Sequence, residues 1–396
     1  MGHAVSDISA STRSAPVSAR RESITSRVLD RESYLRKMDW ILVGAVAVLC
    51  VMGCALVWAA AKPQGLGSSY LKKDLLNVII GVGLAVVAAL VDYRTLRAYT
   101  PVLYVASVIG LLAVLSPLGQ RINGAHSWIS LGGGFEIQPS EFAKVAVILG
   151  IAMLCSEKRE GSTVPTNQDI LFSLGIAGVP VLLILAQPDV GSTMVFAVII
   201  FGMLSLSGIS ARWIVSMLVA AVLGSLLIAH LHLLHKYQID RLLSFTHPGA
   251  GVESFGLNQH ESLLAIGHGG IFGQGLGHGS LTNGQYVPEQ PTDFIFSVAG
   301  EELGLVGSGL IVILSGVVLW RALRIARLAQ DRFGMLVAVG IACWFGFQAF
   351  ENIGMNLGIM PITGLPLTFV SYGGTSMFAS MIAIGLLQNV HIRTAR

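Results

Sequence analysis

Seven ionisable residues stand inside or at the mouths of long apolar runs: Glu141, Lys144, Asp189, Asp293, Glu301, Glu302 and Glu351. A charge at membrane depth is expensive, so such residues point to function by default. In Gln138-Pro139-Ser140-Glu141-Phe142-Ala143-Lys144, the i, i+3 spacing puts Glu141 and Lys144 on one helical face, where they can pair. Pro139 suits the first helical position and Glu141 the positive end of the helix. Two arrangements fit: a capped helix with an internal ion pair, or a polar cavity in which Lys144 meets an anionic group. Asp189, between Gln187-Pro188 and Val190-Gly191-Ser192, suits an N-cap or a polar contact in the same cavity. Asp293 lies in Val287-Pro288-Glu289-Gln290-Pro291-Thr292-Asp293-Phe294, where a long polar segment enters an apolar one. Low polarity there would make the carboxylate a useful proton acceptor, and an N-cap role is compatible with the same place. Glu301 and Glu302, about two turns on, either pair with polar groups or line a cavity.

The glycine-rich run Gly267 to Gly279 offers flexible backbone donors that could face a pyrophosphate, although it matches neither the P-loop nor the dinucleotide fingerprint. Seven histidines between His230 and His278 show no metal-ligand spacing and read as a solvated loop.

The elements that must position these residues are membrane helices. Of 396 residues, 53% are hydrophobic and only 12% charged, about half the usual charged share of a soluble chain. An ordinary cytosolic enzyme is thereby excluded. A net charge of +3 is too slight to indicate nucleic acid, and there is no evident nucleotide site. The four cysteines all lie in apolar runs, which argues against a disulfide or zinc framework. The reading is an all-α polytopic protein with ten spans near 39–61, 75–92, 98–117, 139–156, 169–187, 192–209, 212–231, 293–320, 334–358 and 367–390. Residues 1–37 are expected to be a disordered cytoplasmic tail, 38–392 the membrane domain and 393–396 a cytoplasmic C-terminus. With both termini in the cytoplasm, 18 Lys and Arg fall inside against 6 outside. That orientation leaves two long outer loops, about 118–138 and 232–292, the second between helices 7 and 8.

Several stretches, in order, resemble the SEDS family (shape, elongation, division and sporulation). They are Gly124 to Ile129 around Trp128, Gln138 to Lys144, Gln187 to Gly191, Tyr237 to Leu242, Ala265 to Gly267, Pro288 to Gly304, Asn352 to Met355 and Phe369 to Gly374. The set spans residues 38–392 and is closer to the RodA type than to the FtsW type. Pro291 stands where the family usually has His, Ala59-Ala60-Ala61 where serines are common, and Thr368 where Pro is usual.

The resemblance implies a peptidoglycan glycosyltransferase. Such an enzyme polymerises lipid II at the outer face of the bacterial cytoplasmic membrane, in cell elongation, beside a class B penicillin-binding protein and among membrane lipids. It implies Asp293 as the catalytic base and Mg²⁺ or Mn²⁺ without an identifiable ligand set. It also implies substrate or cavity positions at Trp128, Glu141, Lys144, Asp189, Arg241, Gln259, Glu289, Thr292, Ser371 and Tyr372. The rival readings are a flippase for lipid-linked precursors, a division-type polymerase and a non-catalytic scaffold.

Overall fold

The computed structural model describes residues 36–122, 125–132, 135–157, 164–230 and 255–394. The first 35 residues and Arg241, with its motif, lie outside the described residues. The chain forms helices α1 (Trp40–Ala61), α2 (Gly67–Leu90) and α3 (Tyr93–Leu115), then strands β1 (Gly119–Ile122), β2 (Ala125–Gly132) and β3 (Phe135–Ile137). Helices α4 (Pro139–Cys155), α5 (Asn167–Ala186), α6 (Val190–Leu206) and α7 (Ala211–His230) follow, then α8 (Phe255–Gly269) and α9 (Ser280–Asn283). Three long helices close the chain: α10 (Ile295–Leu328), α11 (Arg332–Asn356) and α12 (Gly374–Thr394).

Seven helices are long and apolar enough to cross a bilayer: α1, α2, α3, α5, α10, α11 and α12. Helices α4 and α6, with 17 residues each, fall just short of that length, and the Ala211–Gly224 part of α7 is a shorter apolar helix. Helices α11 and α12 are the most enclosed, while α2 and α3 turn most of their surface outward. Apolar side chains on that outer surface, such as Ile79, Val86, Val102 and Ile109, stand exposed among the described residues, as a lipid-facing wall requires.

The all-α expectation needs correction. The segment expected as a long outer loop, 118–138, holds a three-stranded antiparallel sheet in the order β1-β2-β3. Gln120 pairs with Trp128, and Ser130 with Glu136. Strand β2 carries the aromatic Trp128 and the β-branched Ile129, residue types that favour strands. The described part of the second loop is structured too, with α8, α9 and a series of turns.

Helix α10 is interrupted at Gly304, whose φ of 64° and ψ of −165° suit glycine alone. The kink frees carbonyls and amides that the glycine-rich segment takes up: Gln274 N and Gly275 N donate to the carbonyls of Glu301 and Glu302, each at 3.0 Å. In return Leu305 N and Val306 N donate to the carbonyls of Gly270 and Ile271, at 2.9 and 3.1 Å. A Cβ on Gly304 would collide with the amide of Gly273.

At the far end of the bundle, the carboxylate of Asp39 caps α1 by accepting from Leu42 N, and it pairs with Arg321 of α10 at 2.6 Å. Gln388 of α12 exchanges two hydrogen bonds with the Asp39 backbone, at 2.9 and 3.1 Å. Asn389 donates to the carbonyls of Ala88 and Ala89 at 2.8 and 3.0 Å, satisfying the end of α2.

Gly304→Ala should therefore lower stability by about 1–3 kcal/mol through backbone strain alone. Gly309→Ala, with open space around its Cα, should leave the melting temperature of the purified protein near wild type. Equal melting of the two variants would remove the kink from the account.

Candidate active site

Gln138 precedes α4, Pro139 fills its first position and Glu141 its first turn. Lys144 Nζ donates to Glu141 Oε1 at 2.7 Å, and neither residue is more than 1% exposed. The ammonium also lies 3.4 Å from Gln348 Oε1 and 4.5 Å from the centre of the Trp344 ring. Trp344 Nε1 donates to the same Gln348 oxygen at 2.6 Å, and Gln348 Nε2 donates to the Pro366 carbonyl at 2.7 Å. Of the two arrangements left open by the spacing, the structure shows the internal ion pair; Glu141 lines a cavity, but Lys144 itself does not reach it.

Asp189 is the N-cap of α6 and also reaches the cavity. Oδ1 accepts from Ser192 N at 2.9 Å, while Oδ2 accepts from Ser192 Oγ at 2.7 Å and Gln138 Nε2 at 3.4 Å. The N-cap of α10 is Phe294, and in the first turn Asn356 Oδ1 accepts from Ser297 N at 3.2 Å. The Asp293 carbonyl accepts from Asn352 Nδ2 at 2.8 Å and Asn356 Nδ2 at 3.2 Å. Asn352 also donates to the Leu365 carbonyl at 2.7 Å, and Tyr372 N donates to the Pro291 carbonyl at 2.9 Å. The turn before Asp293 holds Glu289 at φ 51°, a left-handed conformation that non-glycine residues adopt under constraint.

These elements enclose a cavity of about 1120 Å³. Its wall is built from α2 (Tyr70, Lys73, Asn77), the sheet (Trp128, Glu136), the first turns of α4 and α6, the 285–293 loop and the 363–366 and 372–374 turns. Of the residues singled out from sequence, Trp128, Glu141, Asp189, Glu289, Thr292, Asp293 and Tyr372 meet there. Lys144 stands behind Glu141. Gln259 lies outside the wall and donates to the carbonyls of Met355 and Met360 at 3.4 and 3.3 Å. Ser371 holds a turn, its Oγ accepting from Leu367 N at 2.8 Å. The Tyr372 ring lies 4.8 Å from that of Tyr70.

Among the described residues five carboxylates line the wall (Glu136, Glu141, Asp189, Glu289, Asp293) against one basic side chain, Lys73. Among the described residues no three His, Cys, Asp or Glu side chains converge as a metal site. The arrangement can accept a proton and bind sugar hydroxyls and amides at several points.

The glycine-rich run is not an anion cradle. Besides the amides spent on the α10 carbonyls, Gly277 N donates to Glu302 Oε2 at 2.9 Å. Glu301 accepts from Leu281 N and Thr282 N at 2.7 and 2.8 Å and from Thr282 Oγ1 at 2.6 Å. Both glutamates thus pair with polar groups, and Glu301 anchors α9. The residues that sequence reasoning passed over are Trp344, Gln348, Asn352 and Asn356. They recur every fourth position on α11, and that polar stripe in an apolar helix was the available signal.

Removing one member of a buried ion pair leaves an uncompensated charge, at about 3–5 kcal/mol. Lys144→Met should therefore melt well below wild type, and Lys144→Met with Glu141→Gln should recover most of the loss. A single variant as stable as the double one would mean that the pair is not the partner each charge depends on.

Comparison with known proteins places the chain in a family. Residues 35–396 match the FtsW/RodA/SpoVE family, described as cell cycle proteins. The chain is 38% identical over 351 residues to stage V sporulation protein E of Bacillus subtilis, covering 88% of this chain and 94% of the relative. It is 34% identical over 376 residues to a probable peptidoglycan glycosyltransferase FtsW of Trichlorobacter lovleyi, covering 92% and 95%. A chain from a solved structure on the "structural coordination of polymerization and crosslinking by a peptidoglycan synthase complex" superposes with a TM-score of 0.77 at 29% identity, covering 91% of this chain and 99% of that one. The rod shape determining protein RodA of Thermus thermophilus does so with 0.67 at 28% identity, covering 91% and 98%. An ordered set of motifs, a polar cavity walled by those motifs and matches over nearly the whole length all lead to one statement: this chain belongs to the SEDS family of FtsW, RodA and SpoVE proteins.

Proposed function

We propose that this protein is a peptidoglycan glycosyltransferase that polymerises lipid II with Asp293 as general base. The observation that carries the reading is the position of Asp293 on the wall of a large polar cavity, its main chain tied to Asn352 and Asn356. Relatives named as peptidoglycan glycosyltransferases support the reaction class. In the proposed topology α4, α6 and α7 join the seven longer helices as ten spans of the bacterial cytoplasmic membrane, with both termini in the cytoplasm. The cavity then faces the side on which lipid-linked sugars are presented. The 18-to-6 bias of Lys and Arg supports that orientation.

In the proposed step Asp293 takes the proton from the 4-hydroxyl of the acceptor GlcNAc. That oxygen forms a bond to C1 of the MurNAc at the reducing end of the growing strand. The C1–O bond to undecaprenyl pyrophosphate breaks, and the leaving group departs with its electron pair. An α-linked pyrophosphate becomes a β-1,4 glycoside, so one displacement with inversion suffices and one base is needed. Lys144 is committed to Glu141 and offers the leaving group no free charge; Lys73 is on the wall. The described residues do not assemble a divalent-cation site, and no step here runs through one.

A class B penicillin-binding protein fits as partner, since a solved relative concerns polymerization and crosslinking in one complex. The elongation role rests on the RodA-type resemblance, against relatives named for sporulation and division.

Purified protein given labelled lipid II should make glycan strands, and Asp293→Asn should lose about 10²–10⁴-fold in rate while melting as wild type does. Near-normal synthesis by that variant would overturn the assignment. Glycan strands formed in detergent would also exclude a pure flippase, which needs two membrane faces.

A further inference from the structure

The far end of the bundle holds more positive charge than its own structure uses. Arg321 is only 6% exposed; its Nε and Nη2 both meet Asp39 Oδ2, each at 2.6 Å. Its third nitrogen, Nη1, is buried and has no hydrogen-bond partner among the described residues. Among the described residues Asp39 is the one carboxylate in this cluster, and it already caps α1. Arg324 lies one turn further along α10 and is exposed, and His391 of α12 feels the charges of Asp39, Arg321 and Arg324 together. A buried donor without an acceptor is destabilising, the more so on a cation, so an anion from outside the protein is the natural complement.

The surroundings say which anion. Trp320 is 49% exposed and lies beside both guanidinium groups, 5.3 Å from that of Arg321 and 5.9 Å from that of Arg324. Trp40, next to Asp39 at the start of α1, is 58% exposed. Outward-facing tryptophans at the ends of apolar helices mark the headgroup level of a bilayer. A basic pocket between helices at that level recognises an anionic headgroup.

We infer that the ends of α1, α10 and α12 around Arg321, Arg324 and Trp320 form a binding site for the phosphate of an anionic phospholipid. Trp320 and Trp40 flank the glycerol region, and the acyl chains run along the outward apolar surface of α10. The inference is independent of the glycosyltransferase reading, because this site lies at the end of the bundle away from Asp293.

The test is native mass spectrometry of the full chain in neutral detergent, titrated with phosphatidylglycerol or phosphatidylcholine. Wild type should bind phosphatidylglycerol more tightly, and less so as salt rises. Arg324→Gln should weaken that binding about fivefold, the worth of one basic side chain at a membrane surface. Arg324→Lys should stay near wild type. Arg212→Gln, an exposed cation at the start of α7, should change little. Equal binding of the two lipids, equal losses at Arg324 and Arg212, or displacement of the lipid by inorganic phosphate at matched concentration would each overturn the site.

Discussion

Lys144 has none of its surface exposed, in the middle of a helical bundle whose outer wall is apolar. An ammonium there must have a counter-charge and further acceptors, because no water can replace them. Much of the cavity region follows from that demand. Glu141 is the counter-charge, which fixes the rotation of α4. Gln348 and Trp344 close the other side, which fixes the face that α11 turns inward. Gln348 then holds the Pro366 carbonyl, and so the turn that forms part of the cavity wall. A charge deep in the protein thus sets the geometry of a cavity it does not itself line.

The same helix face carries the next constraint. Four residues along from Gln348, Asn352 binds the carbonyls of Asp293 and Leu365, and four beyond that Asn356 binds the same Asp293 carbonyl and its own helix. These amides do for the loop what strand pairing does in a soluble enzyme, satisfying main-chain groups at a depth where they could not be left bare. The glycine-rich run uses a different device. Its glycines at 269 and 273 let two backbones meet across the kink of α10, where any Cβ would strike the opposite chain.

How much of this was legible depended on how regular the signal was. Hydropathy located the helices, because bilayer thickness imposes a length that few other constraints mimic. The i, i+3 spacing of Glu141 and Lys144 and the capping position of Asp189 were local, and both were readable. The sheet was not, because its strands are short, two register shifts interrupt their pairing, and the run Gly132-Gly133-Gly134 reads as loop. The glycine-rich run misled for the opposite reason: glycine signals close approach, and nothing local says whether a ligand or another part of the chain approaches. Gln259 and Ser371 lie in the right region, yet each serves a main-chain group outside the cavity wall. The polar stripe on α11 was in plain view, but amides weigh little beside charges when a sequence is searched for chemistry.

Asp293 is located by its carbonyl oxygen and by its neighbours' amides, through contacts that any amino acid at that position could make. Address and proposed reagent are therefore written in different residues. A lineage could exchange the proposed base without losing the place prepared for it, or lose an asparagine of the neighbouring helix and keep a carboxylate that no longer points at anything.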